Sequence, residues 1–161
     1  MTAKKHLPNG AVVDSSPIMS ILDGRPSGPP FKDALSKTKP LFMSAPTYVE
    51  LSLVVLGKKD PAGLKPLSDL LKAFEIQIVD FDLPMAAKAQ HGCAKYGKGH
   101  HQANLNMGDL FSYGLTMQMN LPLFFQGEDF SQTDVQDAML MLGYKFDKQH
   151  QPLPLQSGPS R

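Results

Sequence analysis

The chain has 161 residues, 42% of them hydrophobic and 19% charged, with a formal net charge of +1 at pH 7. That length suits one domain burying roughly 70% of its unfolded surface, and the charge balance excludes a coat protein that binds nucleic acid through a large uniform field. The single cysteine, Cys93, excludes an intrachain disulfide or a cysteine-rich zinc site, and no apolar run approaches the ~18 residues of a membrane-spanning helix.

Residues 1–9 are polar and lack the apolar stretch of a signal peptide, so they read as a flexible leader of a cytoplasmic protein. Ala11-Val12-Val13 has the composition of a buried strand and ends at Asp14. Ser16 and Pro17 read as the cap and first position of a helix carrying Ile18, Met19, Ile21 and Leu22. The proline-rich stretch Pro26–Pro30 predicts a loop. Leu41-Phe42-Met43 is a second strand, and Ser44 caps a helix running to Gly57. A helix over Pro61–Phe74 leads to a third strand, Ile76–Val79. Asp82 and Pro84 start a helix through Tyr96, followed by the basic, glycine-rich loop Gly97–Gln102. Asn106 opens a helix through Met119, and Leu121–Phe125 is the fourth strand. Asp134 then caps a short helix bearing Val135, Ala138, Met139 and Leu142, and the proline-containing remainder reads as a mobile tail.

Strands alternating with helices predict an α/β chain with right-handed crossovers. The expected architecture is a three-layer α/β/α domain over residues 10–135, with a central parallel sheet of four or five strands. Residues 136–161 supply the short helix and tail.

In an open parallel sheet, ligands bind beyond the carboxyl ends of the strands. Four acids fall near that edge. Asp14 ends the first strand, although a cap serves as its plainer explanation. Glu50 shares a helical face with Leu53 and Val54, where an uncompensated carboxylate costs several kcal/mol; partial burial at a helix edge is the alternative. Asp109 stands three residues after Asn106, the position of a capping-box acid. Asp129 lies in the turn-like Gln126–Phe130 stretch. Together they would repel one another unless a hard divalent cation neutralised them, and oxygen-only ligation selects Mg²⁺ or Mn²⁺ over zinc. Such an ion polarises phosphoryl oxygens, which is the apparatus of phosphodiester hydrolysis.

Val12-Val13-Asp14-Ser15-Ser16, Tyr48-Val49-Glu50, Asn106-Met107-Gly108-Asp109 and Gly127-Glu128-Asp129-Phe130 with Thr133-Asp134 occur in the order seen in a known family. From about Gly10 to Val135 the chain resembles the PIN-domain ribonucleases, and among them the VapC-type toxins of toxin–antitoxin pairs. The resemblance implies a metal-dependent endoribonuclease whose acidic site maps to Asp14, Glu50, Asp109 and Asp129. By the same resemblance Ser16 orients the site, Asn106 supports it from a helix start, and Thr133 contacts a carboxylate or a water. Asp109 or Asp129 orients the attacking water. Implied partners are RNA, a VapB-like antitoxin and a second copy of the chain. A PIN-like module that has lost turnover and binds RNA or protein is the rival of a different class, and a DNA-directed nuclease is a third option.

Lys98, His100 and His101 form a small basic loop suited to phosphate-backbone contact, with a solvated loop as the plainer reading. Adjacent histidines in a loop rarely converge on one ion. Cys93 lacks an evident base, and a buried thiol is the expectation.

Overall fold

The computed structural model describes residues 5–156. Residues 1–4 of the expected leader and 157–161 of the expected tail lie outside the described residues. The elements in chain order are β1 (Ala11–Val13), α1 (Ser15–Leu22), α2 (Gly28–Ser36), β2 (Leu41–Ser44), α3 (Ala45–Lys59), α4 (Leu64–Ala73), β3 (Ile76–Val79), α5 (Leu83–Tyr96), α6 (Met107–Met119), β4 (Leu123–Phe124) and α7 (Ala138–Met141). The strands form one parallel sheet in the order β3-β2-β1-β4. Successive strand residues face opposite sides, so each strand feeds two helical layers. Ala11, Val13, Leu41 and Met43 pack with Ile18, Phe31 and Leu51 on one side. Val12 and Leu123 pack with Tyr113, Leu115 and Phe125 on the other. The three-layer architecture expected from the sequence is the one observed, with four strands in the sheet.

The strand order runs outward from β1 in both directions, to β2 on one side and β4 on the other. This reversal opens a crevice at the carboxyl ends of β1 and β4. There the amide of Asp14 donates to the carbonyl of Phe124 at 3.0 Å. β1 and β2 each run almost directly into a helix, so residues just beyond them are fixed at helix N-termini.

Two expectations about helix starts are corrected. The Pro26–Pro30 loop is in its second half the start of α2, capped at Ser27. Proline is tolerated in a first helical turn because those amides have no intrahelical acceptor to lose. Gly28 lets α2 approach α1, since a Cβ there would sit 2.9 Å from the carbonyl oxygen of Ser20. The helix expected from Asp134 is reduced to the single turn α7 and is capped by Asp137 instead. Asp134 accepts a 2.9 Å hydrogen bond from the Tyr113 hydroxyl.

The described part of the tail is docked rather than loose. Residues 145–153 fold back as a hairpin, with Phe146 bridged to Pro152 and the Leu153 amide bonded to the Lys145 carbonyl at 2.8 Å. The His150 ring stacks between Phe125, at 5.6 Å, and Phe146, at 4.3 Å. Its Nε2 meets the Asp137 carboxylate at 2.8 Å, and the Tyr144 hydroxyl donates to Asp33. At the other end, Leu7 of the expected leader is buried in the core. A parallel bridge joins Leu123 to Asp137, and the Leu123 amide donates to the Gln136 carbonyl at 2.9 Å.

Candidate active site

Asp14 follows β1 and serves as the N-cap of α1, 6% exposed. One carboxylate oxygen, Oδ2, accepts from the Ser16 hydroxyl at 2.9 Å and the Ser16 amide at 3.4 Å. The other, Oδ1, accepts from the Ser112 hydroxyl at 2.6 Å. Hydrogen bonds to an ionised group of this kind contribute about 1.5–3 kcal/mol each, and two hydroxyls on different helices fix the carboxylate in one orientation. Ser112 lies in α6, and its hydroxyl is also 3.4 Å from that of Thr47 in α3. The cap and site readings of Asp14 are therefore both satisfied by one side chain.

Glu50 sits in the second turn of α3. The sequence reading placed it on an apolar stripe with Leu53 and Val54, but those residues are exposed, Leu53 by 63%. The buried face of α3 is Thr47, Leu51 and Val55, spaced four residues apart. Glu50 flanks that face and is half-buried because Gly108 of α6 packs on its carboxylate. A Cβ at Gly108 would lie 2.5 Å from both carboxylate oxygens. Buried Oε2 has no hydrogen-bond partner. Burial, and then the charge of Asp14, raise the Glu50 carboxyl above the usual glutamate range.

Asp109 closes a complete capping box at the start of α6. Its amide donates to Asn106 Oδ1 and its Oδ2 accepts the Asn106 amide, both at 2.9 Å. Burial pushes its carboxyl up to about 7; the Asn106 amide opposes this, and Asp14, Asp129 and Glu50 add to it. Asp129 is exposed in the turn after β4, raised by burial first and then by Glu128 and Asp14. The four acids from four separate segments thus feel one another's charge. Asp14, at the N-cap of α1, and Asp109, in the first turn of α6, sit at helix starts, where the dipole favours negative groups.

Among the described residues, no three His, Cys, Asp or Glu side chains already meet as a metal-ligand set. The donor chemistry nonetheless suits a divalent cation: oxygen-only ligands, an orphaned buried glutamate oxygen and an aspartate whose carboxyl is raised by burial and then by neighbouring anions. A Gly108→Ala substitution is expected to push the flexible Glu50 carboxylate aside without unfolding the chain. The half-saturating Mn²⁺ concentration, read from thermal shift, should then rise about tenfold, with the metal-free melting temperature little changed.

Of the supporting residues, Ser16 and Asn106 contact the acids as described above. The Thr133 hydroxyl donates to the Phe130 carbonyl at 2.7 Å and accepts the Val135 amide at 3.2 Å, both within its own turn. Lys98 and His100 are exposed in the loop after α5. His101 accepts the Ala103 amide at 3.0 Å and packs edge-on against Tyr96 at 5.2 Å, which orders that loop. Cys93 is exposed rather than buried, because α5 turns Met85, Gly92 and Tyr96 inward. Sequence reasoning missed Ser112 and Gly108. Ser112 and Gly108 share α6 with Asp109, and only the packing of α6 on α3 and on the end of β1 reveals their contacts.

A family model described as PIN domain matches residues 11–136. A VapC ribonuclease of Mycobacterium bovis is 36% identical over 128 residues, 79% of this chain and 98% of that protein. Ribonuclease VapC30 of Mycobacterium tuberculosis is 34% identical over 129 residues, 80% and 98% of the two chains. Among solved structures, VapBC-1 from nontypeable Haemophilus influenzae superposes with a TM-score of 0.63 at 18% identity, covering 80% of this chain and 97% of that one. A toxin–antitoxin complex from Klebsiella pneumoniae gives 0.59 at 19% identity, covering 77% and 92%. The strand order, the acids at its crevice and a match spanning most of the sequence agree: the chain belongs to the PIN domain family.

Proposed function

We propose that the protein is a VapC-type endoribonuclease that hydrolyses RNA phosphodiesters at the crevice bearing Asp14, Glu50, Asp109 and Asp129. The observation that carries this reading is that acids from four separate segments gather at the start of α6, where Gly108 packs on Glu50, Ser112 holds Asp14, and Asp14, Asp129 and Glu50 all act on Asp109. Relatives named as VapC ribonucleases across nearly their whole length support it. The four carboxylates would hold Mg²⁺ or Mn²⁺, the hard ions that oxygen-only ligation prefers. When bound, such an ion supplies positive charge toward the phosphate undergoing attack.

The protein's own groups do the rest. Ser16 and Ser112 hold Asp14 in place, so its charge needs no reorientation during reaction. Asp109 commits Oδ2 to the Asn106 amide, which leaves Oδ1 to orient a water and receive its proton. Lys98, His100 and His101 would meet the RNA backbone.

A VapB-like antitoxin and a second copy of the chain complete the assignment; the neighbouring folds titled VapBC-1 and toxin–antitoxin complex support the former. The test is cleavage of single-stranded RNA with Mg²⁺, with Mn²⁺ and with a chelator, in competition with DNA of the same sequence. Cleavage confined to RNA and to the ion-containing samples is expected. Equal cleavage with the chelator present would refute the metal assignment, and no cleavage in any sample would refute the nuclease.

A further inference from the structure

Gln126 lies between β4 and Asp129, and its amide groups have several partners. Its backbone amide donates to the Ser16 hydroxyl at 3.1 Å, the same hydroxyl that donates to Asp14. Its side-chain oxygen accepts from Ser27, the cap of α2, at 3.1 Å, and from Ser20 of α1. Its side-chain nitrogen donates to Gln151 in the C-terminal hairpin. Gln151 is held in turn, its amide donating to Asp147 Oδ1 at 2.9 Å. The preceding residues pair in parallel: His150 stacks on Phe125. Two consecutive hairpin residues therefore grip the two consecutive residues at which the chain leaves β4.

This hairpin lies beyond the family match, which ends at residue 136. A segment outside the family match has no obligation to touch the site, yet this one holds the side chain of a residue whose backbone amide is two hydrogen bonds from Asp14. Gln126 also starts the short turn through Gly127 that sets where Asp129 points. A buried or half-buried amide satisfied on both its oxygen and its nitrogen is rigid, because each lost bond leaves a desolvated group unpaired.

We propose that Gln126 is a positioning residue of the acidic site, and that the hairpin of residues 145–153 clamps it through Gln151. It acts through the Ser16 hydroxyl on Asp14 and through the turn on Asp129, so its loss should weaken ion binding and turnover rather than RNA binding. The turnover part rests on the nuclease reading above; the ion-binding part rests on the acid cluster alone.

The test uses the full chain with Gln126→Met, which keeps side-chain length and the backbone bond to Ser16 but removes the side-chain bonds that hold that backbone in place, and Gln151→Met, which cuts only the clamp. Outer-shell partners of metal ligands typically alter affinity or activity 10–100-fold. For Gln126→Met we expect the Mn²⁺ midpoint from thermal shift to rise about tenfold and kcat to fall about tenfold, with the KM for RNA within about twofold. Gln151→Met should move the same readouts in the same direction by about threefold; it carries the test should Gln126→Met not fold. Unchanged Mn²⁺ midpoints and kcat in the folded variants, whatever their melting temperatures, would overturn the proposal and reduce Gln126 to a structural strut. Shifted midpoints in a chain whose wild type cleaves no RNA would support the clamp and refute the nuclease.

Discussion

Asp14→Asn is expected to lower RNA cleavage about a thousandfold, equivalent to about 4 kcal/mol of lost transition-state stabilisation. Asp14 is the most enclosed of the four acids and the one whose charge reaches Glu50, Asp109 and Asp129 alike. Asparagine keeps the shape and an acceptor for the Ser16 amide at the start of α1, so the fold should survive. Removing one of four mutually repelling charges should leave the metal-free melting temperature equal or higher. Single-turnover cleavage with circular dichroism as the folding control reads both quantities. Activity above one-tenth of wild type, as a rough threshold, would show that the chemistry lies elsewhere.

The second large effect concerns pH. The Asp109 carboxyl titrates near 7 in the folded chain and near 4 when unfolded. Between those values the native state holds the extra proton, so the contribution of this group to stability falls as pH rises through that window. Its penalty is absent below about pH 4 and complete above about pH 7. The gap corresponds to at most about 4 kcal/mol, of which about 2 kcal/mol should remain after solvent screening at this partly exposed site. Metal-free wild type should therefore lose about 1 kcal/mol more than Asp109→Asn between pH 5 and pH 8 in urea unfolding. Asparagine retains an acceptor for the Asn106 amide, so loss of the cap does not confuse the comparison. Adding Mn²⁺ at pH 8 should stabilise the wild type, because the ion takes the place of the proton. Parallel pH profiles for the two proteins would refute the shift.

Much of the proposed site is legible because its acids are local events in the chain. Asp14 ends an apolar triplet, Asp109 stands three residues after a capping asparagine, and Asp129 follows the last strand; each needs only short-range pattern and the rule that crevices lie at strand ends. Glu50 was identified for a reason the structure does not uphold. Its burial comes from Gly108 on a helix more than fifty residues away, and no helical wheel of α3 contains that contact. The same holds for Ser112, an ordinary serine until α6 packs on β1. The start of α2 was hidden by prolines whose lack of an N–H looks like a loop signal yet matches the needs of a first helical turn. The docked hairpin was hidden because its anchors, His150 between two phenylalanines and Tyr144 on Asp33, are spread across polar and proline-rich sequence.

The bridge from Leu123 to Asp137 bears on self-association. β4 is a border of the sheet, and its free amide at Leu123 is already taken by the returning chain. The opposite border, β3, has no such cover among the described residues, and Gln77 and Ile78 along it face solvent. Borders with unpaired backbone groups act as templates for foreign strands. Under stress, then, intermolecular β-stacking has its open entrance among the described residues along Ile76–Val79, and a charged residue in place of Ile78 would guard it.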